Sequence, residues 1–344
     1  MRLAPRRSEW KAVRRRWSIA AAVAAILALV TWLSFLRMPG KSHDGPLPPV
    51  DAEIAAVRAE IEADVRALAG EIGERNVRRP KALEAAAVHV ERAFAACGLA
   101  PTRQTFRVGG VDCSNVIAEV AGGARRSEIV VVGGHYDSVE GCPGANDNAT
   151  GAAATLALAR RFAAAKSART LRFVAWVNEE PPHFQTDAMG SVVHAKSCRA
   201  AGDDVRAAIS LETLGCYLDA PGSQKYPAPG LSLAYPSRGN FVTFVGNTSS
   251  RALVREAVAE FRAKCPFPSE GTALPEWVPG VGWSDHWAYW REGYAALMVT
   301  DTAPFRYAEY HTARDVPDRV DFERLARVVA GLAHVVARFA DPTE

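Results

Sequence analysis

The longest apolar run lies near the start of the chain. Trp17 to Leu36 reads WSIAAAVAAILALVTWLSFL and contains no charged residue. At ~1.5 Å per residue such a helix covers ~30 Å, the thickness of a bilayer core. The pattern predicts one N-terminal transmembrane helix. A signal peptide has a shorter apolar region, ~7–15 residues, ending at a small-residue cleavage site. Phe35-Leu36-Arg37-Met38 is a poor site of that kind, so an uncleaved anchor is expected. Residues 37–50, rich in Pro, Gly and polar side chains, read as a linker.

Beyond the linker the pattern turns amphipathic. Ile54, Val57, Ile61, Val65 and Leu68 fall three or four apart and predict a helix from Asp51. Pro80 opens a second helix that closes at Cys97-Gly98, with Leu83, Val90 and Phe94 on its apolar face. Strands are expected over 115–120, 128–132, 171–177, 207–211, 241–245 and 295–300. Helices are expected over 150–166, 251–264 and 319–339. The run EIVVV at 128–132 is apolar throughout, as in a strand covered on both faces. Alternating strands and helices predict a single α/β domain over 51–344, with a mixed central sheet flanked by helices. Residues 217–240 form a long loop, a kind often tied to function.

Charge places the N-terminal run. The 344 residues carry a formal net charge of +3, yet residues 1–16 hold seven basic groups and one acid. The body is therefore mildly acidic, which argues against broad nucleic-acid binding. Basic residues before a membrane span stay in the cytoplasm. The expectation is a single-pass inner-membrane protein: basic cytoplasmic tail 1–16, anchor 17–36, catalytic domain outside the cytoplasm. Six cysteines include no CxxC pair. They read either as one or two disulfides or as small buried thiols.

Polar residues gather just after the expected strands, where α/β sheets place ligand sites. EIVVVGG runs into His135-Tyr136-Asp137. Next comes the loop Gly144-Ala145-Asn146-Asp147-Asn148-Ala149-Thr150-Gly151. LRFVAWV leads into Asn178-Glu179-Glu180, and AAISL into Glu212. AALMVTD precedes a loop with Tyr310-His311-Thr312. Each piece alone is common; together they supply the imidazoles and carboxylates of a catalytic zinc centre. His135, Asp147, Glu180, Glu212 and His311 give five ligands. Glu179 is left as a base, and Asp137 stands close enough in sequence to orient an imidazole.

The series HYDS, GANDNATG, NEE, SLETLG, SDH and YHT resembles the dizinc aminopeptidase family that includes bacterial leucyl aminopeptidases. Glutamate carboxypeptidases, glutaminyl cyclases and transferrin-receptor ectodomains are its relatives. The likeness runs from about Asp51 to the C-terminus. It implies two zinc ions and peptide substrates with a free N-terminus. It implies His135 and Glu212 on one zinc, Glu180 and His311 on the other, and Asp147 bridging them. Glu179 is then the general base, with Asp137 behind His135 and Asp285 of the SDH stretch near the proton network. The rival readings are a one-zinc glutaminyl cyclase and a non-catalytic ectodomain. Two details depart from the family or stay open. Pro181-Pro182-His183-Phe184 follows the Glu pair where many relatives have small residues. Trp283, Trp287 and Trp290 share one helical face if that segment is helical, as core or as pocket lining.

Overall fold

The computed structural model describes residues 7–342. The first six residues of the expected basic tail lie outside the described residues. The chain divides into two compact units between Arg37 and Met38. The first contains an α-helix, Arg7–Thr31, and a π-helical turn, Trp32–Leu36. Among the described residues no helix is long and apolar enough to cross a membrane, so the transmembrane helix expected over 17–36 is not supported. The reason is where charge and regular geometry fall. The helix includes Arg14, Arg15 and Arg16, and its uncharged α-helical part ends at Thr31. That part rises only about 22 Å, short of the ~30 Å of hydrocarbon.

The second unit is built on one eight-stranded sheet. Its strands are β1 Thr102–Val108, β2 Val111–Val120, β3 Arg125–His135, β4 Arg169–Trp176, β5 Asp204–Glu212, β6 Val242–Gly246, β7 Ser269–Ala273 and β8 Ala296–Thr300. They lie in the order β1-β2-β4-β3-β5-β8-β6-β7. The central four, β4, β3, β5 and β8, are mutually parallel. Their carboxyl ends therefore open on one side. Outside them β2 and β6 run antiparallel to their inner neighbours, so the sheet is mixed, as the alternation of elements predicts.

Both faces are covered. Val130 and Val132 point into one apolar cluster; Ile129 and Val131 point into the other. The larger cluster takes the helices Ala52–Val65, Pro80–Ala96, Thr150–Phe162, Arg251–Lys264 and Phe322–Ala340. The smaller takes Gly190–Ala201 and His286–Arg291. Period-two burial of a β-strand explains how EIVVV feeds both. Asp51 caps the first of these helices by accepting from the Ile54 amide at 2.8 Å, which satisfies an otherwise unpaired donor.

The structure bears on three further expectations. The segment expected to be a linker is partly pinned down: Met38 is buried, Arg262 donates to the Pro39 carbonyl at 3.1 Å, and the Ser269 amide donates to Ser42 Oγ at 2.9 Å. No disulfide joins the described residues. All six cysteines are free thiols and five are buried, so the buried-thiol alternative holds. Finally, the three tryptophans do not share one face. Trp283 precedes the short helix and stacks on Phe305 with ring centroids 6.2 Å apart, while Trp290 is buried in the smaller core.

Candidate metal centre

The four parallel strand ends deliver the site. β3 ends at His135 and β5 at Glu212; Glu179 and Glu180 follow β4, and His311 lies in the loop after β8. Close backbone approach lets them meet. A Cβ on Gly134 would lie 2.7 Å from the Gly151 carbonyl carbon and 2.8 Å from the Leu211 oxygen. Glycine at the end of β3 thus lets the helix start and the neighbouring strand crowd against His135.

The loop from Gly144 to Gly151 is fixed by its asparagines. Asn146 donates to Asp301 Oδ2 at 3.0 Å and accepts from the Gly215 amide at 2.7 Å. Asn148 donates to the Leu211 carbonyl at 2.8 Å and accepts from the amides of Gly151 and Thr213. Asp147 between them is left to face the cluster. Its backbone is clamped by a residue that sequence reasoning missed. Asp315 accepts from the amides of Asn146 at 2.8 Å and Asp147 at 3.0 Å, and from the Tyr307 hydroxyl at 2.9 Å.

Asp147 presents one oxygen to each histidine. Oδ1 is 3.4 Å from His135 Nε2, and Oδ2 is 3.0 Å from His311 Nε2. Glu212 Oε2 lies 3.3 Å from His135 Nε2, and Glu180 Oε2 lies 3.3 Å from His311 Nε2. Zinc bonds of 2.0–2.1 Å in a tetrahedron put neighbouring ligand atoms about 3.3 Å apart. The histidine–carboxylate distances match this spacing, and two triads, His135-Asp147-Glu212 and Asp147-Glu180-His311, keep all their ligand atoms within 4.8 Å and share Asp147. A third grouping, His135-Glu179-Glu180, brings in the remaining glutamate. Asp137 lies 3.4 Å from His135 Nδ1 and also accepts from the amides of Glu179 and Glu180, both at 3.2 Å. It therefore braces the Glu pair as well as the imidazole. Ser284 donates to Glu212 Oε2 at 2.7 Å. Tyr310 stacks on the His311 ring at 3.9 Å between centroids.

The electrostatics call for a cation. Burial raises Glu179 well above the usual carboxylate range and takes Glu180 up to about 7, with Asp147 adding to the latter. Burial alone would lower His135, but Glu212 and Glu179 outweigh it and raise the imidazole. Both nitrogens of His135 and Nε2 of His311 make no well-aligned hydrogen bond among the described residues although carboxylate oxygens stand 3.0–3.4 Å away, and Oε1 of Glu180 has no partner. Buried polar atoms are rarely left so. Metal and protons compete for such groups, and this donor set fits zinc. Asp285 is also fully buried, and burial raises it to about 7. Asn178 and Thr213, just past the ends of β4 and β5, and the loop residue His311 have φ of 61°, 42° and 56°, sparsely populated backbone that tends to collect at functional sites.

One further buried group supports the loops. Arg75 is fully buried and donates to the carbonyls of Leu68, Gly73, Tyr136, Pro143 and Gly144. Tyr136 and Gly144 lie in the two loops that carry His135 and Asp147. Arg75→Met leaves several buried carbonyls unpaired, so a loss of roughly 3 kcal/mol or more is expected. A thermal melt of the two proteins checks this; an unchanged midpoint would contradict it. His183, by contrast, is only half-buried, and the loop after Glu180 holds a cis Pro181-Pro182 bond.

A parallel-centred α/β sheet with a histidine–carboxylate cluster at its strand ends defines a metal-dependent hydrolase. The chain belongs to peptidase family M28, whose sequence profile matches residues 115–336. It is 34% identical over 281 residues to the uncharacterised protein YfbL of Escherichia coli (strain K12), covering 79% of this chain and 85% of that one. It spans less than two thirds of the curated peptidases it next matches. Its fold is that of BSAP, a zinc aminopeptidase from Bacillus subtilis, at a TM-score of 0.66 and 14% identity over 83% of this chain and 95% of that one. The fold is also shared with Fimbriiglobus ruber glutaminyl cyclase, at a TM-score of 0.60 and 21% identity over 86% of this chain and 97% of that one.

Proposed function

We propose that the chain is a zinc-dependent aminopeptidase that hydrolyses the N-terminal residue of peptides. The observation that carries this reading is Asp147, set between two histidines with one oxygen toward each. His135, Asp147 and Glu212 would hold one zinc, and Asp147, Glu180 and His311 the other. Bound there, zinc supplies Lewis acidity that makes water a nucleophile near neutral pH and polarises a carbonyl. Glu179 is then the general base. It lies 3.7 Å from His135 Nε2 at the edge of the cluster. It takes a proton from the attacking water and delivers it to the leaving amine. Asp137 holds Glu179 and Glu180 in place through their amides. Asn146, Asn148 and Asp315 fix the loop backbone on either side of the bridging carboxylate.

An N-terminal preference is supported by family membership and by the zinc aminopeptidase and leucine aminopeptidase names among similar proteins. The test is a mixture of peptides with free and blocked N-termini, incubated with and without chelator and read by mass spectrometry. Stepwise loss of first residues from free peptides only, abolished by chelator, is expected. Loss of ammonia from N-terminal Gln without cleavage identifies a glutaminyl cyclase instead, the second reading that a similar fold supports.

Location belongs to the same proposal. Trp17, Ile19, Val23, Ile26 and Leu29 are exposed apolar side chains following the basic cluster, which supports attachment to the inner membrane. The chain is expected in the membrane fraction after a carbonate wash; recovery in the soluble fraction sinks that part of the reading.

A further inference from the structure

Beside the metal centre lies a cavity of ≈ 100 Å³. Its floor is the face of four strands, and their pairing sets four residues in one row. Glu212 pairs with Thr300, Thr300 with Thr243, and Thr243 with Glu270. All four line the cavity. With strands ~4.8 Å apart the row spans about 14 Å between its end residues. At one end is the Glu212 carboxylate of the metal cluster; at the other is a second, separate carboxylate. The walls between them include Tyr226 and Tyr235, whose rings stack at 5.9 Å.

Two features of this row are unexplained by metal binding. Thr243 is only 7% exposed, yet its Oγ1 has no hydrogen-bond partner among the described residues. Glu270 is mostly buried and incompletely compensated. Arg262 meets its Oε2 at 3.4 Å, longer than a strong charge-assisted bond. Other donors of Arg262 go to the carbonyls of Ser269 and Pro39. Burial keeps Glu270 raised to about 6 despite this cation; it is still ionised at neutral pH. Lys225 also lines the cavity but is exposed to solvent.

We propose that Glu270 is a specificity-determining residue that selects peptides whose first side chain is long and basic, lysine or arginine. The inference rests on the aminopeptidase reading and adds its substrate class. The alkyl stem lies along the apolar walls, the terminal cation meets the Glu270 carboxylate, and Thr243 Oγ1 accepts one of its N–H groups. A norleucine side chain fills the same walls. It leaves the Glu270 carboxylate desolvated with only the long Arg262 contact to compensate it, and Thr243 Oγ1 without a partner, which is the costly mismatch.

The test compares kcat/KM for lysyl, arginyl and norleucyl 4-nitroanilides with the zinc-loaded full chain at pH 8. Alongside it, calorimetry measures lysinamide and norleucinamide binding to zinc-loaded Glu179→Gln protein. A lysine-to-norleucine ratio of at least ~10 is expected, with the same order in binding. Glu270→Gln brings that ratio toward one. A wild-type ratio of one or less overturns the assignment, whether or not the variant folds. If no nitroanilide is cleaved, lysinamide still binding tighter sustains the pocket assignment and removes the aminopeptidase reading. Cleavage that favours norleucine does the reverse.

Discussion

Replacing Glu179 by Gln lowers kcat by about 10²- to 10⁴-fold, the range for removing a positioned general base, and leaves the zinc content unchanged. Glu179 belongs to neither of the two triads that share Asp147. Its backbone amide, which Asp137 accepts, is kept by the substitution. Gln has nearly the same shape and one fewer negative charge, so the buried cluster tolerates it. It cannot take a proton from water or return one to the amine. The measurement is kcat on a cleaved peptide together with zinc analysis of the same sample. A full complement of metal with collapsed turnover is expected. Turnover within a few-fold of wild type would remove Glu179 from its assigned role.

Asp147→Asn is the second large effect, and it acts through the metal. Asp147 supplies an oxygen to both triads, so a neutral side chain weakens both at once. Changing a group that merely orients a metal ligand already costs about 10- to 100-fold in affinity or activity. Losing the shared charge is expected to lower zinc affinity by at least ~100-fold and to abolish hydrolysis at low zinc. The fold is expected to persist, because Asp315 holds residue 147 through its backbone amide and the side chains of Asn146 and Asn148 make the other bonds. Competition with a coloured chelator gives the affinity, and circular dichroism checks the fold. Zinc binding equal to wild type would mean the two triads do not share a carboxylate ligand.

The strand ends were legible because they follow runs with one clear signature. EIVVV is apolar on both faces, and the sheet indeed covers both. His135, Glu212 and the Glu pair then fall where such strands must stop. Other parts were hidden for physical reasons. β7 reads SEGTA, with a glycine and three polar side chains; it is largely buried, but through small and polar residues that show no apolar pattern, yet it carries Glu270. β1 is likewise polar, with Arg103, Gln104 and Arg107 among its residues. Arg75 looks like one more surface base beside Arg78 and Arg79. Only in three dimensions do five carbonyl groups converge on it. Asp315 had one available signal, its place four residues after His311 in the same loop. Asp137 was expected behind His135, and its second task of bracing Glu179 and Glu180 depends on how β3 and β4 align, which no local pattern reveals. The tryptophans at 283, 287 and 290 satisfied helical spacing, but the helix begins only at His286, so Trp283 was free to turn toward the cavity.

The central claim is a pair of zinc sites joined by one carboxylate, and anomalous diffraction at the zinc edge from zinc-loaded crystals tests it most directly. Two peaks are predicted, one within bonding distance of His135, Asp147 and Glu212, the other of Asp147, Glu180 and His311. A single peak at full zinc saturation, or two peaks that do not share Asp147, would contradict the account.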